Sequence, residues 1–171
     1  GKTGSASHDG GTFTVKGAGA DIWGTADGFH FAWRTLKGDG EIVARVASVS
    51  GSAPWTKVGV MMRQTLDAGS AHALMLVSAE KGLRFQRRTV TGSTSLSTDA
   101  GGGTAPRWIR LTRAGQVITA YASSDGTTWR AVGNDTLSIV GAIHVGLAVS
   151  SHTVSALATG TTIVGGTGRS T

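Results

Sequence analysis

Short segments of alternating apolar and polar residues, separated by glycine-rich turns, run through most of the chain. In residues 28–34, Phe29, Phe31 and Trp33 fall on one side and His30, Ala32 and Arg34 on the other. In residues 41–49, Ile42, Ala44 and Val46 alternate with Val43, Arg45 and Ala47. The same period of two marks residues 11–17, 57–64, 72–79, 82–90, 108–113, 117–123, 128–133 and 142–150. A period of two over short runs predicts β-strands, and regular turn signals between them predict an antiparallel sandwich. Helix signals are nearly absent, with one turn at most over residues 65–70. Residues 91–104, which include Gly101-Gly102-Gly103, and 163–171 read as flexible loops.

The pleat assigns two faces to each strand. Val58, Val60 and Met62, Ala73, Met75 and Val77, Leu83 and Phe85, and Ile143, Val145, Leu147 and Val149 form the expected core face. The opposite face carries Gly59, Met61 and Arg63, His72, Leu74 and Leu76, Arg84, Gln86 and Arg88, and His144, Gly146, Ala148 and Ser150. Small residues there would make a floor and long polar ones walls. A concave sheet face of that composition suits a flat polar ligand such as a sugar. Tyr121, in line with Val117 and Thr119, reads as core.

Composition narrows the class. The 171 residues suit one domain, expected over residues 11–164, with a linker or frayed start at 1–10 and a flexible tail at 165–171. Glycine contributes 27 residues but proline only 2, which excludes collagen-like and proline-rich chains. With 39% hydrophobic and 15% charged residues the chain is not of the disordered type. The apolar runs are too short to span a bilayer, so no membrane partner is expected. The absence of cysteine excludes a disulfide scaffold and a thiol nucleophile. The formal charge of +6 raises the question of an anionic partner, but no basic run exceeds Arg87-Arg88. A nucleic-acid interface is therefore not expected.

The ordered set Asp21-Ile22-Trp23-Gly24-Thr25-Ala26-Asp27-Gly28-Phe29-His30-Phe31, Gly38-Asp39-Gly40, Trp55, Lys57-Val58-Gly59-Val60-Met61-Met62-Arg63, His72, Phe85-Gln86-Arg87-Arg88, Arg107-Trp108-Ile109-Arg110-Leu111, Ser124-Asp125-Gly126-Thr127-Thr128-Trp129 and Val145-Gly146-Leu147-Ala148-Val149 resembles a known group. It is similar to bacterial jelly-roll domains of the concanavalin A-like lectin/glucanase superfamily, which are appended to secreted polysaccharide-degrading enzymes. The resemblance implies an all-β antiparallel jelly-roll β-sandwich and a carbohydrate partner. It also implies that a structural calcium is possible, with oxygens from the Asp-Gly turns at Asp9, Asp27, Asp39 and Asp125. Such domains usually end in a Phe-Asp-Asn-Val strand; here Ala158-Thr159-Gly160-Thr161 stands in its place, so the last strand is expected to be frayed or altered.

Catalytic chemistry finds little support in the residues. Hydrolases of this fold carry Glu-x-Asp-x-x-Glu, which is absent, and the two glutamates, Glu41 and Glu80, have no acidic neighbour at i+2 or i+4. No Gly-x-Ser-x-Gly elbow exists. A lyase using Arg63, Gln86, His72 and Tyr121 is conceivable, but the Gln-Ile-His strand of alginate lyases of this fold is missing. The five histidines show no metal-ligand spacing, and no metal ligands or cofactor are assigned.

These readings combine into one expectation. The chain is a monomeric, non-catalytic carbohydrate-binding module of a larger secreted enzyme. Arg63, Gln86 and Arg88 donate hydrogen bonds to a polysaccharide, His72, His30 and His152 lie at the rim, and Trp55 stacks on a sugar. With Arg63, Arg84 and Arg88 on one face and no acid beside them, the ligand is expected to be anionic or hydroxyl-rich. A structural or interaction domain without glycan binding is the main alternative, and a polysaccharide lyase the next.

Overall fold

A computed structural model describes the backbone of residues 2–168 and the side chains of residues 2–164. The alternating segments pair into two antiparallel sheets that face each other. One sheet runs in the order β1 (Ser5–Asp9), β2 (Thr12–Gly19), β15 (Thr153–Gly168), β6 (Gly40–Ser50), β11 (Arg107–Ala114), β12 (Val117–Ser123) and β13 (Arg130–Thr136). The other runs β10 (Leu96–Asp99), β9 (Leu83–Arg88), β8 (His72–Ser78), β7 (Lys57–Arg63), β14 (Ile143–Ser150) and β5 (His30–Leu36). A small hairpin, β3 (Ile22–Trp23) with β4 (Ala26–Asp27), stands apart from both. No helix occurs among the described residues. The molecule is an all-β jelly-roll sandwich.

The expected core face is the observed one. Val58, Val60, Met62, Ala73, Met75, Val77, Leu83, Phe85, Ile143, Val145, Leu147 and Val149 are all buried and meet Val15, Ile42, Ala44, Val46, Ile109 and Leu111 of the seven-stranded sheet. Each of the valine, leucine, isoleucine, methionine and phenylalanine side chains among them contributes about 1.5–3 kcal/mol by leaving water.

Several segments differ from the pattern reading. Ser5–Asp9, within the stretch read as a frayed start, pairs with β2, and Leu96–Asp99, within the stretch read as a loop, pairs with β9. The last strand is altered rather than frayed: β15 sits between β2 and β6 and continues to Gly168, while residues 169–171 lie outside the described residues. Register shifts interrupt it between Thr153 and Ala158, between Thr161 and Thr162, and between Val164 and Gly166. Each shift breaks the period of two, which hides the strand from pattern reading. Residues 65–70 form no helical turn. Tyr121 is on the outer face, because Ile118, Ala120 and Ala122 point inward. Its ring lies under the Arg110 guanidinium, 4.9 Å away. Trp33 also points outward, 44% exposed, with its ring edge-on to His144.

What positions the functional region is the path of residues 20–31. After β2 the chain crosses onto the outer face of the six-stranded sheet. Gly19, with φ 140°, packs against the Gly28 carbonyl so closely that a Cβ would fall on that oxygen. Beyond this crossing, Ile22 with Phe29 and Phe31 forms a second apolar cluster on Met61, Leu74, Leu76 and Ala148. The face expected to be open is therefore covered over its middle.

Candidate functional site: an open tryptophan pocket beside a buried ion-pair knot

Residues 21–27 are fastened to β7 at both ends by carboxylates. At one end Asp21 Oδ1 lies 2.7 Å from Lys57 Nζ, and at the other Asp27 Oδ2 lies 2.7 Å from Arg63 Nη1. Lys57 and Arg63 share a face of β7, because they lie six positions apart and the strand period is two. The Asp21 carboxylate also caps the hairpin, accepting from the Ile22 amide at 2.8 Å.

The Asp27 end is closed. The Asp27, His72 and Arg88 side chains have no exposed surface, and Arg63 has 1%. Arg88 donates to both Asp27 oxygens, at 2.7 and 2.9 Å. It also donates to the Gly24 and Ser93 carbonyls at 2.9 Å, and Arg63 donates to the Ala68 carbonyl at 3.0 Å. Burial alone would push the Asp27 carboxyl up. Hydrogen bonds from Arg88 and Arg63 and the nearby positive charge outweigh it and hold the carboxyl below its usual 3.8. Burial pushes the His72 imidazole down to about 4; Asp27 opposes this, and the two guanidinium groups reinforce it. His72 is therefore neutral at pH 7.

The Asp21 end is open. A cavity of about 360 Å³ is lined by Trp23, Trp55, Lys57, Arg84, Gln86 and His152, with Asp21 and Ser97 completing it. Lys57 Nζ forms the floor, donating to Gln86 Oε1 and to the Ile22 carbonyl, both at 3.0 Å. Burial pulls the Lys57 ammonium below its usual range, and Asp21 pulls it partly back. Trp23 and Trp55 flank the floor, with Lys57 Nζ 5.8 and 5.6 Å from their ring centres. The Arg84 guanidinium lies over the Trp55 ring, 5.4 Å from its centre, and pairs with Asp99 at 3.0 Å. His152 has a left-handed backbone (φ 64°) in the turn between β14 and β15, and its Nε2 is 3.3 Å from Asp21 Oδ2.

The structure thus divides the residues expected to bind ligand. Trp55, Gln86 and His152 come together in the open pocket. Arg63, Arg88 and His72 do not stand on an open face, because the hairpin and Asp27 cover them. His30 is not at the rim; its ring packs against Gly4 and its Cβ against Gly17, on the far side of β5. The expected excess of positive charge is also corrected: Asp27 neutralises part of the Arg63–Arg88 pair and Asp99 faces Arg84. Pattern reading passed over Trp23 and Lys57 as pocket residues. Lys57 carried a usable signal, since it shares parity with Arg63; Trp23 carried none without the hairpin's docking.

No protein-family model matches the chain, and no curated protein matches it. Solved structures do. A functionally unknown protein from Saccharomyces cerevisiae is similar over 98% of this chain and 92% of its own, at 19% identity and TM-score 0.76. The carbohydrate-binding module CBM66 from Bacillus subtilis is similar over 96% of this chain and 90% of its own, at 12% identity and TM-score 0.60. A xylan β-1,4-xylosidase from Bacillus halodurans matches 90% of this chain with 32% of its own length, at 13% identity and TM-score 0.64. At these identities the likeness is one of fold.

Among the described residues no group of three or more His, Asp or Glu side chains comes together. Of the Asp-Gly turns, Asp27 is held by arginines, and Asp125 Oδ1 caps its own turn, accepting from the Thr127 and Thr128 amides at 2.8 Å.

Proposed function

We propose that the chain is a non-catalytic carbohydrate-binding module of the concanavalin A-like lectin/glucanase type. It holds a neutral polysaccharide at the Trp23–Trp55 pocket and serves as an accessory domain of a larger secreted enzyme. One observation carries the reading: two indole rings flank a polar floor inside an open cavity. Apolar sugar faces stack on aromatic rings, and hydroxyls exchange hydrogen bonds with groups such as Gln86, Lys57 and His152. The likeness to a carbohydrate-binding module, and to a part of a xylosidase about a third of that enzyme's length, supports the reading.

Charge argues for a neutral ligand. Lys57 is matched by Asp21 and Arg84 by Asp99, so the pocket presents donors without a strong field. The carboxylates argue against hydrolysis, which usually needs two of them across the scissile bond. Asp21 is engaged by Lys57 and His152, Asp27 is buried, and Glu41 pairs with Arg110 on the seven-stranded sheet. A glycan array with the isolated chain tests the proposal. Binding to a neutral polymer, lost in Trp55→Ala, is the expected result. Failure to bind any glycan supports the alternative of a purely structural domain, and product release from the bound polymer contradicts the non-catalytic assignment.

A further inference from the structure

A second cavity, of about 280 Å³, lies at another edge of the sandwich. Arg107 at the start of β11 and Arg130 at the start of β13 both line it, with Gly101, Gly102, Ser123, Ser124 and Thr128. Lys57, Arg63, Arg84, Arg87, Arg88 and Arg110 pair with carboxylates. Arg107 and Arg130 are not among them. Their protein partners are backbone carbonyls, Pro106 at 2.9 Å for Arg107 and Ala100 at 2.6 Å for Arg130.

The glycine run explains how two cations come to share one hollow. Gly101 is fixed by its carbonyl accepting from the Leu83 amide at 2.8 Å and by its amide donating to Asp99 Oδ1 at 2.8 Å. Gly101 and Gly103 have φ of 105° and 103°, which other residues rarely adopt. The Arg107 guanidinium lies so close over Gly103 that a Cβ there would strike Nη2, and Arg130 Nη2 approaches Gly101. The loop is thus a seat for two guanidinium groups rather than a slack connection. Asp99 and Asp125 adjoin the lining residues Ala100 and Ser124 in the chain. Asp125 Oδ1 is held by the Thr127 and Thr128 amides, and Asp99 Oδ1 by Arg84 and the Gly101 amide.

From the two guanidinium groups converging on this cavity without a carboxylate partner of their own, we infer an anion-binding subsite that takes an oxyanion substituent of a glycan, a carboxylate or a sulfate. Guanidinium binds such groups in a planar fork, and hydroxyls of Ser124 and Thr128 lie within the same lining. The site is separate from the tryptophan pocket and does not depend on that pocket's role.

The test titrates the intact chain with sodium sulfate, and separately with sodium acetate, against sodium chloride at equal ionic strength, following the Gly101–Gly103 amides by NMR. Saturable shifts with sulfate or acetate beyond those with chloride are expected in the wild type. In Arg130→Gln affinity should fall roughly tenfold, the loss of one charge-assisted hydrogen bond. In Ser124→Glu it should fall by a similar factor, because the new carboxylate repels the anion and competes for the guanidinium groups. Ser124→Glu alters an exposed position and leaves both arginines in place. Polygalacturonate and carrageenan then separate carboxylate from sulfate as the natural substituent. Equal shifts with all three salts, or unchanged affinity in both variants, would overturn the subsite.

Discussion

The two ends of residues 21–27 meet the same face of the same strand with the same chemistry, a carboxylate on a cation, yet only one leaves a site. At Asp27 the loops around Gly24, Ala68 and Ser93 close over the pair and supply carbonyls to every direction of Arg88. At Asp21 the chain turns away and leaves Trp23 and Trp55 standing on either side of Lys57. The lesson is that polar residues on a sheet face do not identify a binding surface; what covers them decides. The closed end serves the open one, because Arg88 donates to the Trp23 and Gly24 carbonyls and so fixes the wall of the pocket.

The largest expected contrast is in stability. Asp27→Asn leaves two buried guanidinium groups without a counter-charge and should cost about 3–5 kcal/mol in denaturant unfolding. Asp99→Asn removes an exposed partner of Arg84 and should cost less than about 1 kcal/mol. Similar losses in the two variants would erase the distinction between the ends.

Acid should act on the closed end next. The His72 imidazole is held at about 4 in the fold against 6.5 when unfolded, so between those values the unfolded chain binds more protons. Stability should therefore fall as pH drops from 6.5 toward 4, by about 3 kcal/mol from this group alone. Asp27 adds a further loss below its usual 3.8, as pH falls toward its lowered folded value. His72→Gln should flatten the difference between pH 6.5 and 4; a variant with the wild-type slope would show that His72 is not buried neutral.

A smaller effect concerns the open end. Trp23→Ala should weaken a bound neutral glycan roughly tenfold, since a stacked indole contributes on that scale. Smaller still is the response to salt: raising it to roughly 1 M, where screening acts over about 3 Å, should change affinity less than about twofold. A steep salt dependence at this pocket would restore the anionic ligand that Arg63, Arg84 and Arg88 first suggested.

Pattern reading recovered the faces of the main strands because a period of two survives wherever large apolar residues alternate, as in Val58, Val60 and Met62. It failed where such residues do not alternate: β15 is rich in glycine and threonine and is broken by register shifts, and β10 offers only Leu96 as a large apolar residue. The site was half legible. Trp55 stood out after Pro54, and Gln86 fell on the correct face. The cover over Arg63 and Arg88 was not legible, because it depends on a hairpin of two-residue strands whose position is set by Asp21 and Asp27 reaching β7 and its neighbours.

The most direct measurement is calorimetry of the wild type and Trp55→Ala with the neutral glycan found on the array, alongside their unfolding temperatures. Affinity should fall about tenfold or more in Trp55→Ala while the fold remains stable. Wild-type affinity in a folded Trp55→Ala variant would contradict the pocket as the binding site.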